Sequence, residues 1–419
     1  MSFAAWSVAA LVLAIIVSCV TSLNVGVLAV ALAAIVGIYI GGLPATTVMA
    51  GFPSQLFLTL AGVTLLFTIA QCNGTLDRLA HRAVLGCRGN RGVIPIMFFV
   101  LAAGLASIGP GNIATAALLA PMAMATAGRV GIPLFLMAIM VGNGANAGSL
   151  SPFAPTGIIV NGLMTRIGMS GFETETYLYN LFAHALVAFG GYFLLGGLKL
   201  FAGAPKPGAS GAVEAIAGHE PFESRHVITL AVIALLIASV IFRRLNVNVG
   251  LGAFAASVVL VLLRCGDDRE AIRRMPWNVI VMVSGVTVLI AVLEKAEGIE
   301  LIVSYLARVA TRGLITGEVA LLTGLVSVYS STSGVVLPAF LPMVPSLAQQ
   351  VGGVDPFAIA MSMNVGGHLV DVSPLSTIGA LCIAAAPVGE DTRRLFNKLL
   401  AWGLSMSIVG AIVCYALFA

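Results

Sequence analysis

The 419-residue chain is poor in charge, with 9% Asp, Glu, Lys and Arg against 59% hydrophobic residues. A soluble domain carries about 25% charged residues, so a water-solvated globular surface is excluded. Aromatics make up only 7% and the net charge is +4. No basic stripe interleaved with aromatics exists, which argues against a nucleic-acid partner. The cysteines at 19, 72, 87, 265, 382 and 414 stand singly. Without a CxxC pair, neither a disulfide framework nor a zinc site is indicated. HExxH and GxSxG are missing and no two carboxylates share a core helix, which counts against an intramembrane enzyme.

What is plentiful is apolar sequence. Crossing a ~30 Å hydrocarbon layer takes roughly 20 apolar residues per helix. Apolar windows fall near 4–21, 24–42, 56–71, 94–128, 132–167, 176–200, 226–243, 247–264, 278–293, 315–350, 356–386 and 397–418. Windows 94–128 and 315–350 are too long for one helix; IGPGN (108–112) and YSSTSG (329–334) break them into hairpins. Windows 132–167 and 356–386 are interrupted by GNGANAGSLSPFAPTG (142–157) and NVGGHLVDVSPLST (364–377). The expected fold is an all-α polytopic membrane protein with ten spans and two re-entrant hairpins. The first apolar stretch lacks a basic n-region and runs straight into the second, so it is expected to be a retained helix.

The polar Gly/Ala/Pro-rich stretch 201–225 is the one linker, close to the midpoint, and it points to a duplication. An offset of 223 puts Gly62-Val63-Thr64 on Gly285-Val286-Thr287 and Pro53 on Pro276; 224 puts Asn24-Val25-Gly26 on Asn248-Val249-Gly250. Pro121-Met122 meets Pro342-Met343 at 221, and Ser151-Pro152 with Gly157 meets Ser373-Pro374 with Gly379 at 222. Each half then holds three spans, a hairpin (94–128 or 315–350), an interrupted helix (132–167 or 356–386) and a final helix (176–200 or 397–418). Five crossings per half make the repeats inverted in topology. Arginines in the 72–93 loop (78, 82, 88, 91) and the 264–276 and 387–398 loops, together with the 201–225 linker, fall on the side expected to be cytoplasmic. Arg243 and Arg244 fall on the other side.

Irregular backbone in a bilayer is tolerated only where protein or a water-filled cavity satisfies it. Paired discontinuous helices in inverted halves mark a secondary transporter's site: half-helix N-termini suit an anion, unwound carbonyls a small cation. One Gly/Pro kink would be ordinary; four interruptions, paired by repeat and enriched in Ser, Thr and Asn, are not.

Candidate anion ligands are Asn112 and Thr115 at the first hairpin tip and Ser149, Ser151 and Thr156 at the first interrupted helix. Thr332 and Ser333 at the second tip, and Ser373, Pro374, Ser376 and Thr377 at the second interruption, complete the set. The bland roles are a helix cap for Asn112 and back-bonding to helix carbonyls for the hydroxyls. Candidate cation or coupling residues are Gly111, Asn112, Asn143, Asn146, Gly148, Gly334, His368 and Asp371. His368 and Asp371 are the ionisable residues of the interruptions, and such groups are costly inside a membrane unless they function. Asp371 could instead cap the second half-helix or pair with His368. His184 reads as a hydrogen-bonded packing residue. No arginine stands at an interruption, so a dianion would rest on dipoles, hydroxyls and a co-bound cation.

The run GFPSQLFLTLAGVTLLFTIAQCNGTLDRL (51–79) resembles the N-terminal domain of the malonate/dicarboxylate carrier (MatC-type) family, most closely over about the first 150 residues. The whole chain resembles the wider ion transporter superfamily that includes divalent-anion sodium symporters. The resemblance implies a dimeric elevator transporter. Scaffold parts would be 1–71 and 226–314; transport parts would be 94–200 and 315–419. The symporters carry a Ser-Asn-Thr signature at each tip. Here the first tip reads Gly111-Asn112-Ile113-Ala114-Thr115, and the second, Thr332-Ser333-Gly334, has lost the asparagine.

The expectation is a multi-pass bacterial inner-membrane transporter of small dicarboxylates, of the malonate or C4 class, coupled to Na⁺ or H⁺. Sodium would bind at the hairpin tips, no other cofactor is expected, and lipid and a second copy are the expected neighbours. The alternatives are the large membrane subunit of a binding-protein-dependent organic-acid transporter, a carrier of another organic anion, or a channel.

Overall fold

The computed structural model describes residues 2–21, 23–85, 90–202, 221–241 and 248–419. Most of the 201–225 linker, with Cys87, Arg88, Arg243 and Arg244, lies outside them. The described residues form helices and connecting turns, with no strand. In the first half these are α1 (Phe3–Val20), α2 (Val25–Ala34, extended by a π-turn Ile35–Ile40), α3 (Ala45–Met49), α4 (Ser54–Cys72) and α5 (Thr75–Leu85). Then come α6 (Val93–Ile108), α7 (Gly111–Val130), α8 (Leu134–Gly148), α9 (Pro155–Arg166), α10 (Glu173–Leu194) and α11 (Lys199–Ala202). The second half runs through α12 (Ser224–Ile241), α13 (Val249–Leu262), α14 (Asp268–Arg274), α15 (Trp277–Lys295), α16 (Gly298–Val309) and α17 (Ile315–Tyr329). A wound segment over 332–350 contains α18 (Leu337–Phe340) and α19 (Val344–Gln350). Finally come α20 (Pro356–Leu369), α21 (Thr377–Ala384) and α22 (Thr392–Phe418).

Among the described residues, seven helical stretches are long and apolar enough to cross a membrane, and five shorter apolar helices of 10–17 residues accompany them. Two of the shorter ones, α6 and α8, are the first arms of the expected hairpin and interrupted helix. The hairpin expected over 94–128 folds as α6 and α7, which pack on each other across Gly109-Pro110. Gly109, at φ +142°, supplies a backbone turn that a β-carbon would strain. The second hairpin bends by 119° at Ser330-Ser331.

Lipid gives helices no hydrophobic reason to associate, so membrane helices pack closely through small residues. This chain does so with two reciprocal glycine pairs. A β-carbon built at Gly285 of α15 would overlap the Gly26 carbonyl of α2; one built at Gly62 of α4 would overlap the Gly250 carbonyl of α13. Each pair joins one half of the chain to the other, so α2 is locked to α15 and α4 to α13. The matched residues also share local roles. Asn24 Oδ1 caps α2 by accepting from Gly26 N at 2.9 Å, and Asn248 Oδ1 caps α13 by accepting from Gly250 N at 3.0 Å. Pro53 and Pro276 precede α4 and α15 in the same way.

The largest buried core runs through α1, α2, α4, α13 and α15 and takes in Ile158–Leu163 of α9 and Val335–Leu347 of the second hairpin. A second core joins α6, α7 and α8 to α21 and the start of α22. Apolar side chains such as Val12, Ile16, Leu251, Val258 and Leu262 point outward, as a lipid-facing surface requires.

Candidate functional site: two hairpin tips and a cavity

The two interrupted helices break alike. α8 ends at Gly148 and α9 starts at Pro155; α20 ends at Leu369 and, after a 3₁₀ turn Val370–Val372, α21 starts at Thr377. Close backbone packing sets both breaks: a β-carbon at Gly157 would overlap the Ser151 carbonyl, and one at Gly379 the Ser373 carbonyl. The cap positions of α7, α9 and α21 supply no side-chain bond. In α7 the Ile113 N–H is taken by Asn112 Oδ1 at 3.0 Å, and in α9 the Gly157 N–H by the Ser149 carbonyl at 2.9 Å.

Each tip meets its own break. At the first, Asn112 Nδ2 donates to Asn146 Oδ1 at 2.8 Å. Gly111, at φ +77°, lies so near Pro155 that a β-carbon would stand 2.9 Å from its Cδ. Ser149 Oγ donates to the Asn146 carbonyl at 2.7 Å, and Ser151 Oγ to the Ser107 carbonyl at 2.6 Å. Ser149 is therefore back-bonded, the bland role for such hydroxyls, whereas the Ser151 bond crosses from the break to the end of α6. Thr115 and Thr156 are buried close by, Thr115 Oγ1 without a hydrogen-bond partner.

At the second tip Thr332 Oγ1 donates to Asp371 Oδ1 at 2.6 Å, and the Gly367 carbonyl and Ser327 Oγ complete a cluster of oxygens. Asp371 does not cap α21, whose cap position is Ser376. Ser376 Oγ instead donates to the Asp371 and Ser373 carbonyls. Ser333 is half-buried beside Thr332, Pro374 is buried, and Thr377 is exposed. Gly334 N donates to Ser331 Oγ at 3.2 Å.

The two sites also touch. α7 packs on α21, and α9 on the second hairpin. A β-carbon at Gly142 of α8 would lie 2.9 Å from Val372 of the other break. The four interruptions therefore meet.

Behind them lies a polar interior. His184 Nδ1 donates to Asn143 Oδ1 at 3.0 Å, and Asn180 Nδ2 to the Asn146 carbonyl at 2.8 Å. His368 Nδ1 donates to the Asn364 carbonyl at 2.8 Å, which leaves its Nε2 buried without a protein partner. His184 is hydrogen-bonded packing, as its sequence context suggests, and Gly148 serves close approach to Ala103 and Ala106.

A cavity of about 1110 Å³ opens between α4 and the first break. Ser151 is the sequence-predicted site residue that lines it, together with Gln55, Thr59, Asn161 and Tyr177. Its charged lining residues, among the described ones, are Arg166 and Glu173. No arginine stands at an interruption in the sequence, yet a guanidinium, that of Arg166 at the end of α9, reaches the cavity wall. Hydropathy treats Arg166 as the polar end of a long span. Because α9 has only 12 residues, that end comes back to the cavity wall, and only the position of the break could have revealed it.

Residues 1–149 match the family model described as dicarboxylate carrier protein MatC N-terminus, so the family resemblance seen in residues 51–79 holds. The chain is similar to an uncharacterized transporter of Mycobacterium tuberculosis, from strains CDC 1551 and H37Rv. Identity is 24% over 356 residues, which cover 80% of this chain and 79% of the relative. Among solved structures it resembles the YdaH transporter of Alcanivorax borkumensis. There the TM-score is 0.61 at 16% identity, covering 88% of this chain and 87% of the other. It also resembles MtrF of Neisseria gonorrhoeae, described within a class of antimetabolite efflux pumps. The TM-score is 0.64 at 12% identity, covering 92% and 84%. The fold is that of these multi-pass membrane transporters.

Proposed function

We propose that this protein is a secondary active transporter of small dicarboxylates, of the malonate or C4 class, coupled to Na⁺ or H⁺. The observation that carries the reading is the meeting of four helix interruptions, with a cavity beside the first break whose wall includes Ser151, Asn161, Arg166 and Tyr177. The dicarboxylate carrier match over residues 1–149 supports the substrate class. The starts of α7, α9 and α21 offer positive dipole ends for carboxylates, with the N–H groups of Gly111, Asn112, Thr377 and Ile378 in the first turns of α7 and α21. The oxygens of Asp371, Thr332 and Gly367 form a hard donor set of the kind a sodium ion takes, and the carboxylate equally suits a proton. A carboxylate there disfavours a nearby dianion until a cation neutralises it, which makes the two binding events mutually favourable.

The halves act as inverted repeats. Residues 94–200 and 315–419 move as the transport domain of an elevator against a dimeric scaffold of 1–71 and 226–314, in the bacterial inner membrane. The test is uptake of labelled malonate and succinate by the purified chain in liposomes, with Na⁺ or pH gradients and no added binding protein. Gradient-driven uptake supports the reading. No uptake of either acid under any gradient removes it.

A further inference from the structure

The cavity's two charges are unequally available. Glu173 Oε1 accepts from the Gly171 backbone N–H at 3.2 Å, turned toward its own loop. Arg166, the last residue of α9, reaches across to Glu294 at the end of α15, with Nη2 2.8 Å from Oε2. Both side chains are about one-third exposed, 32% and 37%, so water screens the pair and the bond is cheap to break. A guanidinium has five donors in a fork that matches a carboxylate. Glu294 is itself a carboxylate. It therefore presents to Arg166 the same chemistry that an organic acid entering the cavity would bring.

We propose that Arg166 is the carboxylate ligand of the cavity, and that Glu294 competes with the substrate for it. An entering dicarboxylate draws the guanidinium off Glu294 and, in doing so, unties α9 from α15. The inference deepens the dicarboxylate reading and rests on it. Tyr177, whose hydroxyl lies 2.9 Å from Ser107 Oγ, and Asn161 stand in the same wall and are available to the second carboxylate.

The test is equilibrium binding of labelled malonate and succinate to the full chain in lipid nanodiscs, comparing wild type with R166Q, R166K and E294Q. Losing the guanidinium costs a charge-assisted contact, so R166Q should weaken binding by at least about tenfold, with R166K in between. E294Q should tighten binding by about two- to fivefold, because a screened competitor is removed. Both R166Q and E294Q destroy the same ion pair, so their melting temperatures without substrate should shift alike. Their effects on binding must nevertheless oppose one another. A tie that only fastens α9 to α15 would move binding in the same direction in both, and that result overturns the proposal while leaving the transport reading intact. Should R166Q fail to fold, R166K and E294Q carry the same opposed expectation. A wild type that binds neither acid overturns the dicarboxylate reading and this inference with it.

Discussion

At the first hairpin tip an amide meets an amide, Asn112 on Asn146; at the second a hydroxyl meets a carboxylate, Thr332 on Asp371. The 222-residue offset that puts Ser151 on Ser373 also puts Asn146 on His368 and Ser149 on Asp371. Both breaks keep a glycine pressed against a serine carbonyl. Backbone constraints thus repeat while the side chains aimed into the site diverge. The neutral site pairs amides but leaves Asn146 Nδ2 and Thr115 Oγ1 buried without a partner, and the ionisable one has a charge to balance. On the proposed transport reading, the first break would serve packing and anion approach while the second would answer to a cation.

The largest expected effect is at that charge. Two carboxylate charges ~4 Å apart repel by about 4 kcal/mol at an effective dielectric near 20. On the proposed reading, a substrate carboxylate that comes this near to Asp371 would meet this repulsion unless a cation binds first. Asp371→Asn should fold and bind substrate yet lose dependence on the cation gradient, measured as uptake with and without imposed Na⁺ and pH gradients. The corresponding change at the neutral site, Ser149→Ala, should leave that dependence untouched. Unchanged cation dependence in Asp371→Asn would reduce the carboxylate to a partner for Thr332.

Next in size is a test of the shared backbone. Gly157→Ala and Gly379→Ala each force a β-carbon onto a serine carbonyl. Overpacking of this kind costs about 1–3 kcal/mol and sometimes more. Both variants should melt well below wild type, and by similar amounts. A harmless substitution at one site and a severe one at the other would show that the breaks are not built alike.

How much of this was legible in the sequence follows from which signals are local. Glycine, proline and polar residues inside apolar windows mark where helices must break, so the hairpins and interrupted helices could be read directly. Asn24 and Asn248 were matched by sequence, and both cap their helices. Which hydroxyls face the cavity could not be read, because a serine two residues from a break can bond either its own helix or a ligand. Ser149 back-bonds, while Ser151 reaches the Ser107 carbonyl of α6 and, of the predicted residues, lines the cavity. Arg166 escaped because it lies nine residues beyond Gly157, and its approach to Glu294 depends on where two distant helices end.

A smaller effect is expected at the amide pair. Asn112→Ala leaves the buried Asn146 Oδ1 without its donor, and an unsatisfied buried acceptor costs about 1–3 kcal/mol. The doubly substituted Asn112→Leu/Asn146→Leu should recover part of that loss, since replacing both partners by apolar groups can be close to neutral. A double-mutant cycle on melting stability measures the coupling. Strictly additive losses would mean that the pair seen at 2.8 Å contributes nothing as a pair.

The smallest effect sharpens the comparison most, because it uses the same residue type at matched positions. Ser151 Oγ donates to the Ser107 carbonyl at 2.6 Å, tying the first break to the end of α6, and it lines the cavity. Ser373 Oγ accepts only a long bond, 3.3 Å from the Leu375 N–H, within its own turn. A typical intramolecular hydrogen bond contributes about 0.5–1.5 kcal/mol net. Ser151→Ala should therefore lower stability by about 1 kcal/mol and weaken malonate uptake severalfold at low substrate. Ser373→Ala should change stability by less than about 0.5 kcal/mol and leave uptake at low substrate near wild type. If the order is reversed, with Ser373→Ala the more damaging to uptake, then the substrate is held by the second break rather than by the cavity beside the first.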